Sequence, residues 1–518
     1  MSKPQPLILA IDNGTQSVRA LLFDRSGQLV AKAQKALVDY STPQPGWQEH
    51  DVEAFYTHMA SCCQQLWQSG KYTAEQVQAV VVTTQRATVI NLDEHGQPLR
   101  PAIIWTDQRK AALRAKRPWW WRLLFRLLGL KRTIDALERE TEINWLAQHQ
   151  PQVWAKTAHY LLLSGYLNYR LTGEFKDSVG SQVGYIPFDY KRQQWCGKRD
   201  WKWHCMPVAQ QQLPELVAVG AVLGSVTAAA ARQTGLMAGT PVIAGAADKA
   251  CEVLGSGCLH ETIGSISCGT TATINVCQQR YIEPRPFIPP YPAALPDYFN
   301  SEIQVFRGFW MVEWFVQQFA STEQQRAERS DIAVEPLLEE LLQATAPGAD
   351  GLVLQPYWNP GLGHPGPEAR GSVIGFSDQH TRGHLYRAML EGLAFALRDG
   401  KEQLERRNKN KLQRLRVAGG GSQSDGVMQI LADVLQLPTE RPSTYEASGL
   451  GAAIIAAVSL GYYRSYAEAV AAMTAVSARF EPIAANSDLY QKIYRQIYRR
   501  QYRRLRPLYS ALARLRVA

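Results

Sequence analysis

The chain has 518 residues, of which 46% are hydrophobic and 20% charged, and it carries a formal net charge of +10. That length exceeds what one core usually serves, and the composition excludes disordered, collagenous and disulfide-stapled classes. The positive charge is local: residues 108–132 and 489–518 each hold nine Lys/Arg and no acid, so the remainder is net acidic, which argues against nucleic acid as a partner.

In chain order, residues 7–40 alternate like three strands joined by turns at Gly14 and at Ser26-Gly27. Residues 52–69 have helical spacing and 77–82 read as a short buried strand. Residues 89–92 and 102–105 read as a hairpin around a turn at His95-Gly96. Residues 145–172 read as mostly helical, with Gly173 as the stop, and 241–247 as a buried strand that leads into a helix beginning at Asp248. The pattern then restarts at Ile263. A strand over 351–356, a long helix over 384–407, a strand over 415–418 and helices over 425–435 and 448–460 follow. Strands alternating with helices predict an α/β fold with mixed sheets. The boundary is expected between 250 and 262, which gives domains 1–255 and 256–485 and a basic amphipathic helix over 486–518.

No apolar run is long enough to span a bilayer; the longest uncharged one covers 450–463. Eight cysteines without CxxC or Cys-His spacing read as free thiols of a reducing compartment. The start, Met1-Ser2-Lys3-Pro4, leads directly into a strand with no signal-peptide pattern. A cytoplasmic location is therefore expected.

Two glycine turns carry most of the chemical information. The first is Asp12-Asn13-Gly14-Thr15, and the second, 255 residues later, is Ser267-Cys268-Gly269-Thr270. Each reads as strand, Gly-Thr turn, strand, a geometry that gathers backbone N–H groups and a hydroxyl around phosphate oxygens. Their equivalent placement in two half-chains points to a duplicated domain with a nucleotide between the copies. Thr15, Gln16 and Ser17 offer further donors, and Arg19 could reach a phosphate. Asp12 could hold Mg²⁺ beside a polyphosphate, the alternative being an Asx-turn aspartate. Asp248, at a strand-to-helix junction after Gly245-Ala246-Ala247, could be a general base toward an alcohol, the alternative being a helix-dipole aspartate. Gly419-Gly420-Gly421-Ser422 joins a strand to a helix and could hold a ribose, an adenine or a phosphate. It does not fit a dinucleotide fingerprint, and no Walker A sequence occurs. Gln85-Arg86 and Trp105-Thr106-Asp107-Gln108-Arg109 supply amides, guanidinium groups, a carboxylate and an indole face suited to a polyol.

These residues together resemble the FGGY carbohydrate kinases of the actin/hexokinase/Hsp70-like superfamily, over nearly the whole chain. Besides the two turns, Pro45-Gly46-Trp47-Gln48-Glu49-His50-Asp51, Ile104-Trp105-Thr106-Asp107-Gln108-Arg109 and Leu171-Thr172-Gly173-Glu174 are similar to family motifs. So are Gly245 to Asp248, Arg370-Gly371, His380-Thr381-Arg382, Glu391-Gly392, Gly419 to Asp425 and Gly449-Leu450-Gly451-Ala452-Ala453. The resemblance implies an α/β chain of two duplicated actin/ribonuclease-H-like domains with an interdomain nucleotide cleft. It implies transfer of a phosphoryl group from Mg-ATP to a hydroxyl of a small sugar, polyol or sugar acid, with Asp248 as base and Asp12 as the metal-side carboxylate. Gly14, Thr15, Gln16, Ser17, Arg19, Gly269, Thr270, Gly308, Gly419, Gly420, Gly421 and Ser424 would line the nucleotide. Gln85, Arg86, Trp105, Asp107 and Asp248 would line the acceptor. The loops Phe306-Arg307-Gly308-Phe309-Trp310 and Tyr357-Trp358-Asn359-Pro360 look like nucleotide-side loops.

The acceptor loop departs from two branches of that family. The glycerol kinase pattern there is Gln-Arg-Glu, and this chain has Ala87 in the third place; the pentulose kinase pattern Gly-Gln-Met-His-Gly is absent. Two other readings remain at this level: an ATP-driven switch protein of the same superfamily, and a regulatory protein without catalysis. For the basic Trp- and Leu-rich segment 116–132 the alternatives are an amphipathic helix packed on the body, peripheral docking on an anionic membrane, and an oligomer or acidic-partner surface such as a homodimer's. In the C-terminal segment Tyr490, Tyr494, Ile497, Tyr502, Leu505, Tyr509 and Leu512 have near-helical spacing, with a break expected at Pro507.

Overall fold

The computed structural model describes residues 5–113, 119–127, 131–358 and 365–515. Two mixed sheets organise them, and the two share one wiring. In the first, Leu7–Asn13 pairs antiparallel with Ser17–Phe23, which pairs antiparallel with Leu29–Ala36. On its other side Leu7–Asn13 runs parallel to Val77–Thr84, and that strand runs parallel to Pro241–Ile243. In the second, Ile263–Cys268 pairs antiparallel with Ala272–Gln278, which pairs antiparallel with Phe299–Val305. Ile263–Cys268 also runs parallel to Arg414–Ala418, which runs parallel to Thr439–Pro442. Antiparallel edge strands, Val222–Ser225 and Val476–Phe480, close the two series. The duplication expected from the paired turns is thus built into the backbone.

The central strands are apolar on both faces because both faces are covered. Leu7, Leu9 and Ile11 bury one face of the first sheet under Phe55, Met59 and Leu66 of the helix Val52–Gln68. Ile8 and Ala10 bury the other face against Ala250 and Leu254 of the helix Asp248–Gly255 and Leu450, Ala453 and Ala457 of the helix Ala447–Ser459. Those two helices cross with their backbones in contact, since a Cβ on Gly451 would lie 1.9 Å from the Cys251 carbonyl oxygen.

Several elements differ from the sequence expectation. The stretch 145–172 is not one helical block: a strand, His159–Leu162, separates Pro151–Lys156 from Leu163–Thr172 and pairs with Val89–Leu92. Gly173 does end the last of these helices, at φ 77°. The strand expected over 241–247 stops at Ile243, and the next four residues run as an irregular link. No break occurs at Pro507: the helix Arg499–Leu515 runs through it. Pro507 and Arg503 are both exposed, so the carbonyl that the proline ring frees is open to water. The irregularity lies upstream, in a π turn at Tyr494–Tyr498. That turn helps bury Tyr490, Tyr494 and Tyr498 against Phe395, while Ile497 and Leu512 stay exposed.

Residues 114–118 and 128–130 of the basic Trp-rich segment lie outside the described residues, as do Asn359 and Pro360. Within its described part, Phe125 is buried against Trp201, whereas Leu123 and Leu127 are exposed. Among the described residues no helix is long and apolar enough to cross a membrane. All eight cysteines are buried, and none is in a disulfide.

Candidate active site

The first sheet's parallel strands end at one edge, and the polar residues that the sequence singles out gather there. Asp12 is the penultimate residue of its strand, Gln85 and Arg86 directly follow Thr84, and Asp248 opens its helix after a four-residue link from Ile243. Crevices of this kind, beyond the carboxyl ends of parallel strands, are where α/β sheets hold ligands. The Gly245 backbone is pressed against its neighbour, since a Cβ there would lie 2.4 Å from the Val82 carbonyl oxygen. A glycine is therefore required for the approach to Asp248.

Asp12 is buried, and its Oδ2 accepts a hydrogen bond from Arg19 Nη1 at 3.1 Å. Burial raises its carboxyl to about 7 despite Arg19, with the charges of Asp248, Glu446 and Glu252 adding to the rise. Asp248 is raised as well by burial, against the pull of Lys249 and Arg86. Its Oδ1 accepts from the Lys249 backbone N–H at 2.7 Å. Asp12 thus feels the Asp248 charge. Arg19 reaches from Asp12 to Glu446 Oε2, 3.1 Å away, so its guanidinium is held by two carboxylates.

The first glycine turn and the polyol-side residues form a single hydrogen-bonded unit. Gly14 N–H donates to the Ser17 carbonyl at 3.0 Å and closes the turn. Trp105 Nε1 donates to Thr15 Oγ1 at 2.8 Å, and that hydroxyl donates to Gln85 Oε1 at 3.3 Å. Tyr40 OH donates to the Thr15 carbonyl. Gln16 is exposed and Ser17 is buried. Asp107 is engaged within its own loop. Its Oδ2 accepts from the Gln48 N–H at 2.6 Å and both oxygens accept from Arg109, whose guanidinium sits between the rings of Trp47 and Trp145. Asp107 therefore fixes the loop that carries Trp105 rather than presenting an unengaged carboxylate.

The second turn is assembled around backbone contacts. Phe309 N–H donates to the Gly269 carbonyl at 3.0 Å, and Trp310 N–H to the Thr270 carbonyl at 3.4 Å. Gly308 is packed so closely that a Cβ would lie 2.1 Å from the Ala272 nitrogen. Gly419 has φ +85° and lies against Cys268, Gly421 packs on the Phe309 ring, and Gly420 has no atom nearer to its Cβ direction than Tyr445 OH at 4.0 Å. Ser424 caps the helix Asp425–Leu435 through Val427 N–H and donates to Glu339 Oε2 at 2.5 Å. The open floor of this side is thus Gly420, flanked by glycines that let the loop and the second turn touch.

Sequence reasoning misses the residues that the second half contributes around Arg86. Arg86 Nη1 donates to Glu302 Oε1 at 3.1 Å and to Oε2 at 3.3 Å. Its guanidinium also stands 5.2 Å from the Tyr291 ring centroid. Burial alone would lower Arg86, but Glu302, Tyr291 and Asp248 raise it above its ordinary value. Lys249 Nζ lies 2.6 Å from Ser267 Oγ and 3.1 Å from Glu252 Oε2. Beside Arg86, Ala87 adopts φ 55°, a left-handed conformation, with its N–H held by the Val183 carbonyl. Only a period-2 reading of Phe299–Val305, which sends Asn300 and Glu302 to one face, could have drawn attention to Glu302.

Residues 7–255 match the FGGY family of carbohydrate kinases, N-terminal domain, and residues 264–460 match the C-terminal domain of the same family. The chain belongs to the FGGY family of carbohydrate kinases. It is 29% identical over 490 residues to a xylulose kinase of Lactococcus lactis subsp. lactis, covering 94% of both chains. The crystal structure of ligand-bound xylulose kinase from Lactobacillus acidophilus superimposes with a TM-score of 0.82 at 20% identity, over 98% of this chain and 100% of that one. That of Plasmodium falciparum glycerol kinase with ADP does so with a TM-score of 0.76 at 19% identity, over 96% and 98%. This FGGY kinase is a phosphotransferase acting on a hydroxyl group of a sugar or polyol, and membership in a kinase family implies ATP as donor. Its two-domain α/β fold is the one those kinases have, in keeping with the actin/ribonuclease-H-like type.

Proposed function

We propose that this kinase transfers the γ-phosphoryl group of Mg-ATP to a hydroxyl of a small sugar, polyol or sugar acid, with Asp248 as general base. The observation that supports the reading is that Asp248 stands close enough to both Asp12 and Arg86 for their charges to interact, while Lys249 beside it reaches Ser267 ahead of the second glycine turn. The phosphates lie along the Thr15 and Thr270 turns, and the adenosine lies toward Gly420. Asp248 accepts the proton of the acceptor hydroxyl as its oxygen bonds to the γ-phosphorus and the bond to the ADP oxygen breaks. A carboxyl whose affinity for a proton is raised by burial suits that role. The proton step contributes about 10²–10⁴-fold, and positioning and charge neutralisation contribute most of the remainder.

Asp12 is the residue that would hold Mg²⁺. Its surroundings suit the ion: a buried carboxyl already pushed up by three neighbouring acids gains from an added positive charge. Among the described residues no group of three or more His, Cys, Asp or Glu forms a protein cage, which fits an ion bound mainly by water and phosphate. When bound, Mg²⁺ neutralises charge on the phosphate oxygens. Eight buried cysteines outside any disulfide support a reducing compartment, hence the cytoplasm. An ADP-release assay across neutral sugars, polyols and sugar acids tests the reading. Acceptor-dependent ADP release is expected, and ADP release that ignores every acceptor would favour the switch-protein alternative.

A further inference from the structure

The hollow beside Asp248 is lined by Arg86, Val183, Ala247, Lys249, Ala250, Asn275, Tyr291, Pro292, Asn300 and Glu302, and its volume is about 10 Å³. That is room for about one water. Its wall comes from both halves: Arg86 follows a strand of the first sheet, and Asn275, Asn300 and Glu302 sit on strands of the second. An acceptor enters only when the halves separate, and separation pulls Arg86 away from Glu302. What the acceptor then meets depends on charge.

The wall has two cations, and each already has a carboxylate. Arg86 is held by both oxygens of Glu302, whose side chain is only 5% exposed. Lys249 is held by Glu252. Asp248 adds negative charge that acts on Arg86. The remaining polar lining is neutral: Asn275, Tyr291, and Asn300, whose Oδ1 is buried with no hydrogen-bond partner. Two hydroxyls of an acceptor can donate, one to Asn300 Oδ1 and one to Glu302, while accepting from Arg86. A substrate carboxylate can do none of the donating. It would have to take Arg86 from Glu302, leaving two buried carboxylates to share one guanidinium.

We propose that Glu302 sets the acceptor class of this kinase: by neutralising Arg86 it selects an uncharged sugar or polyol, whose hydroxyls bridge Arg86 and Glu302, and rejects sugar acids. This inference rests on the sugar-kinase reading above. Specificity here lives on the second half, opposite the half that carries the other acceptor-side residues. It is negative selection as much as attraction, since the wrong substrate is refused by an unpaired buried charge.

The test is kcat/KM for glycerol, xylitol, D-xylulose and D-ribulose against D-gluconate and D-xylonate, in wild type, Glu302→Gln and Glu302→Asp. The wild type is expected to prefer its best neutral acceptor over either acid by at least about 100-fold. Glu302→Gln frees the Arg86 charge and should shift that ratio toward the acids by at least about tenfold. Glu302→Asp keeps the charge and should keep the neutral preference even where the rate falls, which separates this role from mere packing. A wild type that prefers gluconate or xylonate, or a ratio unmoved in Glu302→Gln, overturns the assignment and leaves the kinase reading standing. ADP release with none of these acceptors or any other sugar overturns both.

Discussion

The substitution Asp248→Asn isolates the proton step. The amide is nearly isosteric, and its oxygen can still accept from the Lys249 N–H at 2.7 Å, so the start of the helix Asp248–Gly255 keeps its local bond. What is lost is the basic oxygen, worth about 10²–10⁴ in kcat, or about 2.7–5.4 kcal/mol of transition-state stabilisation. A second consequence follows from the geometry. The Asp248 charge is one of the causes that raise Asp12 to about 7, so its removal lowers Asp12 and leaves that carboxylate ionised at lower pH. Mg-nucleotide affinity should therefore hold or improve while turnover collapses. Coupled ADP-release kinetics and calorimetric titration with a non-hydrolysable Mg-ATP analogue read the two effects separately. A variant that turns over within about threefold of wild type, well under the smallest factor expected of a general base, would refute the assignment of Asp248.

Three further outcomes are expected. Asp12→Asn should raise the Mg²⁺ concentration for half-maximal rate by at least about tenfold, because a bound divalent ion supplies several kcal/mol of charge stabilisation; an unchanged Mg²⁺ dependence would remove Asp12 from that role. Gly451→Ala places a methyl group 1.9 Å from the Cys251 carbonyl oxygen and should cost about 1–3 kcal/mol in urea melts, or more where backbone must shift. Tyr490→Phe removes the hydroxyl that donates to Glu391 Oε1 at 2.7 Å and should cost about 1–3 kcal/mol. Burial raises Glu391 to about 7, against the pull of Tyr490, the Gly348 N–H and Arg387, so its contribution to stability is full below its ordinary value of 4.5 and fades as pH rises toward 7. Loss of the tyrosine bond raises Glu391 further, and the cost of Tyr490→Phe should accordingly be greater at pH 8 than at pH 4.

What local chemistry dictates was legible, and what depends on distant chain was not. The helix Asp425–Leu435 has the limits that periodicity assigns, because Ser424 caps it and its apolar face is continuous. The two Gly-Thr turns fall at matching positions of matching sheets, because each follows a short apolar strand with no other place to reverse. The strand His159–Leu162 escaped notice because four residues between two helices carry no alternation; its pairing with Val89–Leu92 decides its conformation. Pro507 misled because a proline on an exposed helix face costs one hydrogen bond that water replaces. Asp107 reads from sequence as a substrate carboxylate, yet Arg109, two residues on, takes it up inside the same loop. Glu302 stands 216 positions from Arg86, and no local pattern announces such a pair.

The way the halves are joined bears on how the hollow can open. The helix Ala447–Ser459 belongs by sequence to the second half, but Leu450, Ala453 and Ala457 pack with Ile8, Ala10 and Ile243 of the first sheet. Gly449 lies against Leu21 and Gly451 against the Cys251 backbone, so this seam has almost no side-chain thickness. Apolar contact of that kind resists separation but tolerates small rotations between packed helices. At the hollow, by contrast, the halves meet at an ion pair beside a cavity of about 10 Å³. A pivot at the glycine seam that opens the Arg86–Glu302 edge disturbs the least buried apolar surface. The acceptor would then enter beside an inter-half contact whose polar atoms it can replace with its own hydroxyls. Closure on a polyol restores those hydrogen bonds and closes the hollow around Asp248, and closure on water restores the ion pair alone. This difference would tie domain closure to the presence of an acceptor.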